Sequence, residues 1–266
     1  MEQRILLLSG AKQSGKDTIC NHIHGHIMKQ TGATKEFHVN DDGKLVVHTA
    51  SYDSEGKIVE GMGVLNLDNP DERFQAYASS KIWPHVKAYS FADSLKDICM
   101  RLFGLTYEQC YGTDDDKNTL TSVKWSDITF ALPPRTVGKI KKDGIRDDYL
   151  TARELLQQFG TNICRKINPF CWVNDCFNQI KAEQVPLAIV RDSRFPEEIE
   201  TGWKYNAKVL RLGRRPFKDG HSSETALNKW PTMKFDYYLD NKKMEIAMQN
   251  ELVIDELVKW GWLDGE

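Results

Sequence analysis

The segment Gly10-Ala11-Lys12-Gln13-Ser14-Gly15-Lys16 limits the fold of this chain more than any other feature. It has the pattern G-x-x-x-x-G-K and stands between two different kinds of apolar patterning. Before it, Arg4–Ser9 carries the continuous run Ile5-Leu6-Leu7-Leu8, which suits a strand covered on both faces in a parallel sheet. After it, Ile19, Ile23 and Ile27 recur at helical spacing and stripe one face of a helix. Strand, glycine turn and helix in that order form the context in which such a loop holds a phosphate. Glycines at both ends let the backbone curl until successive N–H groups face one anion. The helix N-terminus adds unpaired donors and the positive end of its dipole. Lys16 supplies a mobile charge suited to the β- and γ-phosphates of a nucleoside triphosphate. The alternative is a tight turn without a ligand, which leaves the flanking strand and helix unexplained.

A serine or threonine usually follows the lysine of such loops and ligates Mg²⁺; here Asp17 does, and Thr18 comes next. A carboxylate also holds Mg²⁺, directly or through water. Gly10, Lys12, Ser14, Gly15, Lys16, Asp17 and Thr18 are therefore the expected ATP-binding set, with Asp17 and Thr18 the first metal candidates.

The rest of the chain alternates between strand and helix signals, which predicts an α/β fold. The expected form is a doubly wound parallel sheet of the P-loop NTPase type with helices on both faces. All 266 residues read as a single domain with two excursions. Residues 37–67 read as strands joined by Asp42-Gly43 and Glu55-Gly56 turns, an antiparallel insertion expected on the edge of the main sheet. Residues 113–148 are polar, contain Pro133-Pro134, and read as a loop or lid-like excursion. Further helices are expected over Asp71–Ile82, Phe91–Phe103, Pro169–Ala182, Phe195–Gly202 and Met244–Trp260, with a capping box at Thr151-Ala-Arg-Glu154 opening another. Strands are expected over His85–Ser90, Val185–Val190, Ala207–Leu212 and Tyr237–Leu239.

Several side chains are placed to work with the glycine loop. Asp192 follows a buried strand, and in open parallel sheets ligands sit at the carboxyl ends of strands. It suits a second Mg²⁺ anchor, or alternatively a helix N-cap for the segment at Phe195. Arg194, two residues on, would face phosphate, and Glu197 or Glu198 would offset a helix dipole or orient Arg194. Arg211, Arg214 and Arg215 cluster where a strand ends, either as bidentate phosphate contacts or as a solvated basic turn. Lys96, Arg153 and Arg165 lie on helices and are either acceptor-side cations or solvated charges. The chain has no strong nucleophile–base constellation. Transfer to a monophosphate does not need one, since the acceptor's second pKa is about 6 and its oxygen is largely anionic near neutrality.

Composition narrows the partners. A formal net charge of −2 argues against a protein that coats nucleic acid. Six dispersed cysteines without a C-x-x-C pair read as reduced thiols. Neither a secretory leader nor a membrane span is evident, so a cytoplasmic location is expected. The oligomeric state is not set by the sequence, with which a homodimer is compatible.

Taken together, these motifs resemble one family. Ser9-Gly-Ala-Lys-Gln-Ser-Gly-Lys-Asp-Thr18 is similar to the phosphate loop of the deoxynucleoside monophosphate kinases of tailed bacteriophages, which share the Gly-Lys-Asp-Thr ending. Phe91-Ala-Asp-Ser-Leu-Lys-Asp97 resembles their second strand–helix junction. Ala152-Arg-Glu-Leu-Leu-Gln-Gln-Phe-Gly-Thr161, followed by Trp172-Val-Asn174, is similar to their Arg-x-Leu-x-Gln-x-x-Gly-Thr helix. Ile189-Val-Arg-Asp-Ser-Arg194, Leu210–Pro216, His221-Ser-Ser-Glu224 and Leu239-Asp-Asn241 match later signposts in order. The resemblance does not cover 37–67 or 113–148. It implies transfer of the γ-phosphate of ATP, with Mg²⁺, to a deoxynucleoside monophosphate. Lys16, Arg214, Arg215 and Asp192 would then be catalytic, the two arginines acting from a lid. Lys96, Arg153, Gln157, Arg165, Trp172, Arg194 and Glu224 would line the acceptor, Asn241 would lie near the adenine, and Asp17, Thr18 and Asp192 would hold the metal. Dephospho-coenzyme A kinases and animal-type phosphomevalonate kinases look similar at the loop, and a non-catalytic ATP-binding switch would share it too.

Overall fold

The computed structural model describes residues 3–52, 57–131, 148–216 and 225–265. The chain divides into two compact units, Met1–Ser90 with Ile180–Glu266, and Phe91–Gln179.

The first unit is built on five parallel strands: β1 (Arg4–Ser9), β5 (Val86–Tyr89), β8 (Leu187–Ser193), β9 (Lys208–Leu212) and β10 (Tyr237–Leu239). Their order across the sheet is β10-β9-β1-β8-β5, which puts β1 at the centre. That position explains the continuous apolar run: Ile5, Leu6, Leu7 and Leu8 are all buried, because a central parallel strand is covered on both sides. Alternate residues serve opposite faces. Leu6 and Leu8 join a core with Ile19, Ile23 and Ile27 of helix α1 (Lys16–Gln30) and with Val253 and Leu257 of the helix Ile246–Lys259. Leu7 points the other way, toward the helix Pro196–Lys204, whose Gly202 leaves room for it. A Cβ on Gly202 would lie 2.5 Å from Leu7 Cδ1. The architecture is thus α/β, a parallel sheet flanked by helices.

The insertion departs from expectation. β2 (Phe37–Val39), β3 (Leu45–Tyr52) and β4 (Ile58–Leu65) form a separate antiparallel three-stranded sheet and do not extend the edge of the main one. Phe37 settles onto α1 at Gly25, where a Cβ would meet its ring at 2.1 Å. His22, one turn earlier, packs against the same ring at 5.3 Å. Leu45 and Val47 of β3 join the same core, while Ile58, Val59, Met62 and Val64 of β4 stay exposed. The expected Asp42-Gly43 turn forms, with Gly43 at a positive φ of 76°. Glu55-Gly56 lies outside the described residues.

The second unit contains the helix α3 (Asp93–Phe103), following α2 (Glu72–Lys81) of the first, the helix Ala152–Gln157 and the helix Cys171–Glu183 as far as Gln179. The Thr151 capping box forms as read: Glu154 N–H donates to Thr151 Oγ1 at 3.2 Å and Thr151 N–H donates to Glu154 Oε2 at 2.9 Å. The helix then widens into a π-helical stretch, Gln158–Cys164. The tract at 113–148 holds more structure than expected. Thr113 caps a short helix, Asp114–Lys117, and β6 (Leu120–Lys124) pairs antiparallel with β7 (Tyr149–Thr151) before a 3₁₀ stretch, Trp125–Ala131. The rest of that tract, 132–147 with Pro133-Pro134, lies outside the described residues.

Candidate functional site

The glycine loop runs from the carboxyl end of β1 to the first turn of α1. Two residues in it carry positive φ, Gln13 at 55° and Gly15 at 105°, so the backbone reverses in the left-handed region that glycine tolerates. Gly15 is also held close: a Cβ there would stand 2.9 Å from Gln249 Oε1. Gly10 admits Ser14, whose Oγ would sit 2.3 Å from a Cβ at position 10. Ser14 Oγ is buried without a hydrogen-bond partner among the described residues. Lys16 begins α1 and folds back over the loop, its ammonium donating to Gly10 O at 2.9 Å and Ala11 O at 2.7 Å. Asp17 is exposed in the same first turn. The Thr18 hydroxyl lies against the insertion: a Cβ on Gly43 would be 2.5 Å from Thr18 Oγ1.

Behind the loop is a buried polar brace that the sequence did not advertise. Asn241 is fully buried. Its Nδ2 donates to Ser14 O at 2.8 Å and to Gln249 Oε1, and its Oδ1 accepts from Arg214 N–H at 2.9 Å. The Arg214 guanidinium donates to Asn241 O at 3.1 Å and Met244 O at 2.7 Å. Asn241 and Arg214 are thereby tied to the loop's backbone and to the segment before Ile246–Lys259, while Arg215 is exposed. Asn241→Ala should lower stability by about 2 kcal/mol, because it strands buried partners. Urea midpoints measured at constant slope would show it, and an unchanged midpoint would remove the brace from the account.

Asp192 lies within β8, two residues further along the strand than the sequence placed its end. Ser9 registers with Ser193 across a bulge, so Asp192 sits beside the end of β1. Ser90 Oγ, just past β5, donates to Asp192 Oδ2 at 2.6 Å and orients the carboxylate. Arg211, on the other side of β1, is buried and donates to Ser9 Oγ at 2.8 Å, while Ser9 Oγ donates to Ser193 O at 2.9 Å. A polar ladder thus ties the carboxyl ends of β9, β1 and β8. Glu198 is buried, and its Oε2 accepts from the backbone N–H of Arg194 at 2.6 Å and of Phe195 at 2.9 Å. It caps the helix and so fixes the Arg194 backbone.

Next to Asp192, Arg191 makes a two-pronged ion pair with Asp68, at 2.9 and 2.6 Å. The Asp68 carboxylate raises the Arg191 pKa well above its ordinary value against the opposing effect of burial, and Asp17 adds to the rise. On α1, burial pushes the Cys20 thiol up to about 12 and His24 down to about 4. His24 Nδ1 lies 2.8 Å from Cys20 O, to which it donates. Neither signal was visible in the sequence, where His22, His24 and His26 alternate along α1 and only His22 and His26 share a face.

In the second unit, Lys96 Nζ stands 3.9 Å over the Tyr111 ring and 3.5 Å from Asp93 Oδ1. Arg153 is held by Asp114 at 2.7 Å and Asn118 at 3.1 Å. Gln157 ends its helix where the π-helical stretch begins, and Arg165 follows that stretch. Trp172 is buried with its indole N–H on Gly160 O at 3.2 Å. Glu224 lies outside the described residues. No described helix is long and apolar enough to cross a membrane. A scan against protein-family models matches none, and a search of curated proteins finds no relative.

Proposed function

We propose that this chain is an ATP- and Mg²⁺-dependent kinase that phosphorylates a deoxynucleoside monophosphate to the diphosphate. The observation that carries the phosphate chemistry is the glycine loop between a buried parallel strand and a helix, with the Lys16 ammonium folded over it. The acceptor rests on the sequence resemblance set out above. In this reading the loop amides and the α1 N-terminus hold the β-phosphate, and Lys16 exchanges its two carbonyl partners for phosphate oxygens. Ser14 Oγ, buried and without a partner among the described residues, is a further donor for the loop in this reading.

Among the described residues no group of three or more His, Cys, Asp or Glu side chains is placed to hold a metal. Mg²⁺ is normally held by one or two carboxylates together with substrate phosphates and water, so a donor set of Asp17 and Asp192 fits it. When bound, the ion neutralises charge on the phosphates. Thr18 is better suited to fixing the Gly43 turn, since its hydroxyl already faces that turn. Ser90 donates to Asp192 Oδ2 and so orients the carboxylate that would hold the metal. The acceptor oxygen needs no base, so the work is alignment and charge neutralisation.

A coupled ADP-release assay with MgATP tests the reading. It would run against dGMP, dTMP, dCMP, dAMP, the matching ribonucleotides, dephospho-coenzyme A and phosphomevalonate. Release that depends on one or a few deoxynucleotides is the expected result. Release with dephospho-coenzyme A or phosphomevalonate keeps the chemistry and replaces the acceptor. Tight ATP binding without acceptor-dependent release makes the chain a nucleotide-binding switch.

A further inference from the structure

Two of the contacts that the three-stranded insertion makes with the rest of the first unit flank the candidate nucleotide site. Its β2–β3 turn meets the first turns of α1. Gly43 packs on the Thr18 hydroxyl, and Asn21 Nδ2 donates to Gly43 O at 2.8 Å. Its exit, three residues past β4, carries Asp68, which grips Arg191 through both carboxylate oxygens. Arg191 immediately precedes Asp192 on β8, and the charge of Asp17 acts on Arg191 as well. Arg191 Nη2 to Asp68 Oδ1 is short at 2.6 Å, and the Arg191 side chain is only 12% exposed. A planar guanidinium held by two parallel bonds has little rotational freedom. The insertion thus holds the Arg191 side chain on β8, and Ser90 holds the carboxylate of the next residue, Asp192.

We infer that Asp68 and Arg191 are positioning residues for Asp192, and that the insertion is a working part of the nucleotide site. This inference rests on the kinase reading, because it needs Asp192 to hold Mg²⁺ beside a nucleotide. Asp68 reaches neither nucleotide nor metal in this account. It acts through Arg191 and the strand, as residues behind a metal ligand commonly do. The exposed Lys35–Glu60 pair at 3.0 Å on the same insertion has no such connection and serves as a control.

The test measures ADP affinity by calorimetry with and without Mg²⁺ on the full chain. The proteins are the wild type, Asp68→Asn, Asp68→Glu, Arg191→Lys and Lys35→Ala, each with its urea midpoint. The wild type should bind ADP more tightly with Mg²⁺. In Asp68→Asn that gain should shrink by about tenfold, the lower end of what loss of a partner behind a metal ligand costs. Its Mg²⁺-free ADP affinity should stay unchanged. Asp68→Glu should recover part of the gain, Arg191→Lys should lose it, and Lys35→Ala should keep it. A merely structural role would lower the urea midpoint and leave the Mg²⁺-dependent gain intact, which overturns the inference. If Asp68→Asn does not fold, Arg191→Lys decides by the same criterion. A wild type that binds ADP without any Mg²⁺ effect overturns the inference through its metal premise, and one that binds no nucleotide overturns the kinase reading with it.

Discussion

Lys16→Ala is expected to lower kcat by about 10²–10³-fold, the loss that follows removal of one preorganised charge donor from a transition state. The fold should survive. In the structure the Lys16 ammonium donates to two carbonyls of its own loop, Gly10 O and Ala11 O, and the loop's shape is set elsewhere. It is set by the positive φ of Gln13 and Gly15 and by the Asn241 amide on Ser14 O. The urea midpoint of Lys16→Ala should therefore lie close to that of the wild type while turnover collapses. Lys16→Arg should not rescue, since a planar fork cannot follow the transferring group as a compact ammonium can. A variant with wild-type kcat would remove the phosphate-loop reading, because that reading gives the charge on the β- and γ-phosphates to Lys16.

How much of this was legible in the sequence follows from the range of the interactions involved. The strand, loop and helix from Arg4 to Gln30 were legible because each rests on local rules: a continuous apolar run, glycines, and an Ile19-Ile23-Ile27 stripe. The Thr151 capping box was legible for the same reason, since its two partners are three residues apart. The short strand Tyr237–Leu239 came out at its read bounds. The insertion was legible as antiparallel strands but not in its placement. Strand alternation says which face is apolar and does not say that Gly25 of α1 will receive Phe37. Within the tract read as a loop or lid-like excursion, Asp114–Lys117 forms a short helix capped by Thr113, a local signal overlooked beneath its charge.

At the site the same division holds. Lys16 and its loop were legible, as was Asp192 as an acid at a strand end. The partners that fix them were not. Ser90 lies 102 residues from Asp192, Asn241 lies 227 residues from Ser14, and Asp68 lies 123 residues from Arg191. A buried polar side chain is recognisable only once its partner is known, because in sequence a serine, an asparagine or an aspartate reads as surface. Arg214 illustrates this: the Leu-Gly-Arg-Arg-Pro turn suggests two similar guanidiniums, whereas one is tied to carbonyls of residues 241 and 244 and the other is exposed.

The same burial that hid His24 from the sequence gives the protein a definite acid sensitivity. Burial is the main cause of its fall from 6.5 to about 4, and the positive charge of Arg191 adds to it. The bond to Cys20 O and the charge of Asp68 oppose it. A histidine whose folded pKa is depressed is protonated first in the unfolded chain. Between pH 6.5 and about 4 the unfolded state therefore binds the extra proton, so stability falls as pH falls through that window and levels off below it. A shift of this size corresponds to about 3 kcal/mol once pH 4 is reached. Urea unfolding of the wild type and of His24→Leu at pH 7.5 and pH 4.5 separates this contribution from that of the carboxylates, which both proteins share. The wild type should lose about 2–3 kcal/mol more than the variant between the two conditions. Most of that difference should develop below pH 6.5, where the unfolded imidazole charges. Cys20 does not contribute in this range, since its thiol stays neutral with a pKa near 12. Equal losses in the two proteins would mean that His24 takes up its proton in the folded state as readily as in water. That outcome would contradict its burial.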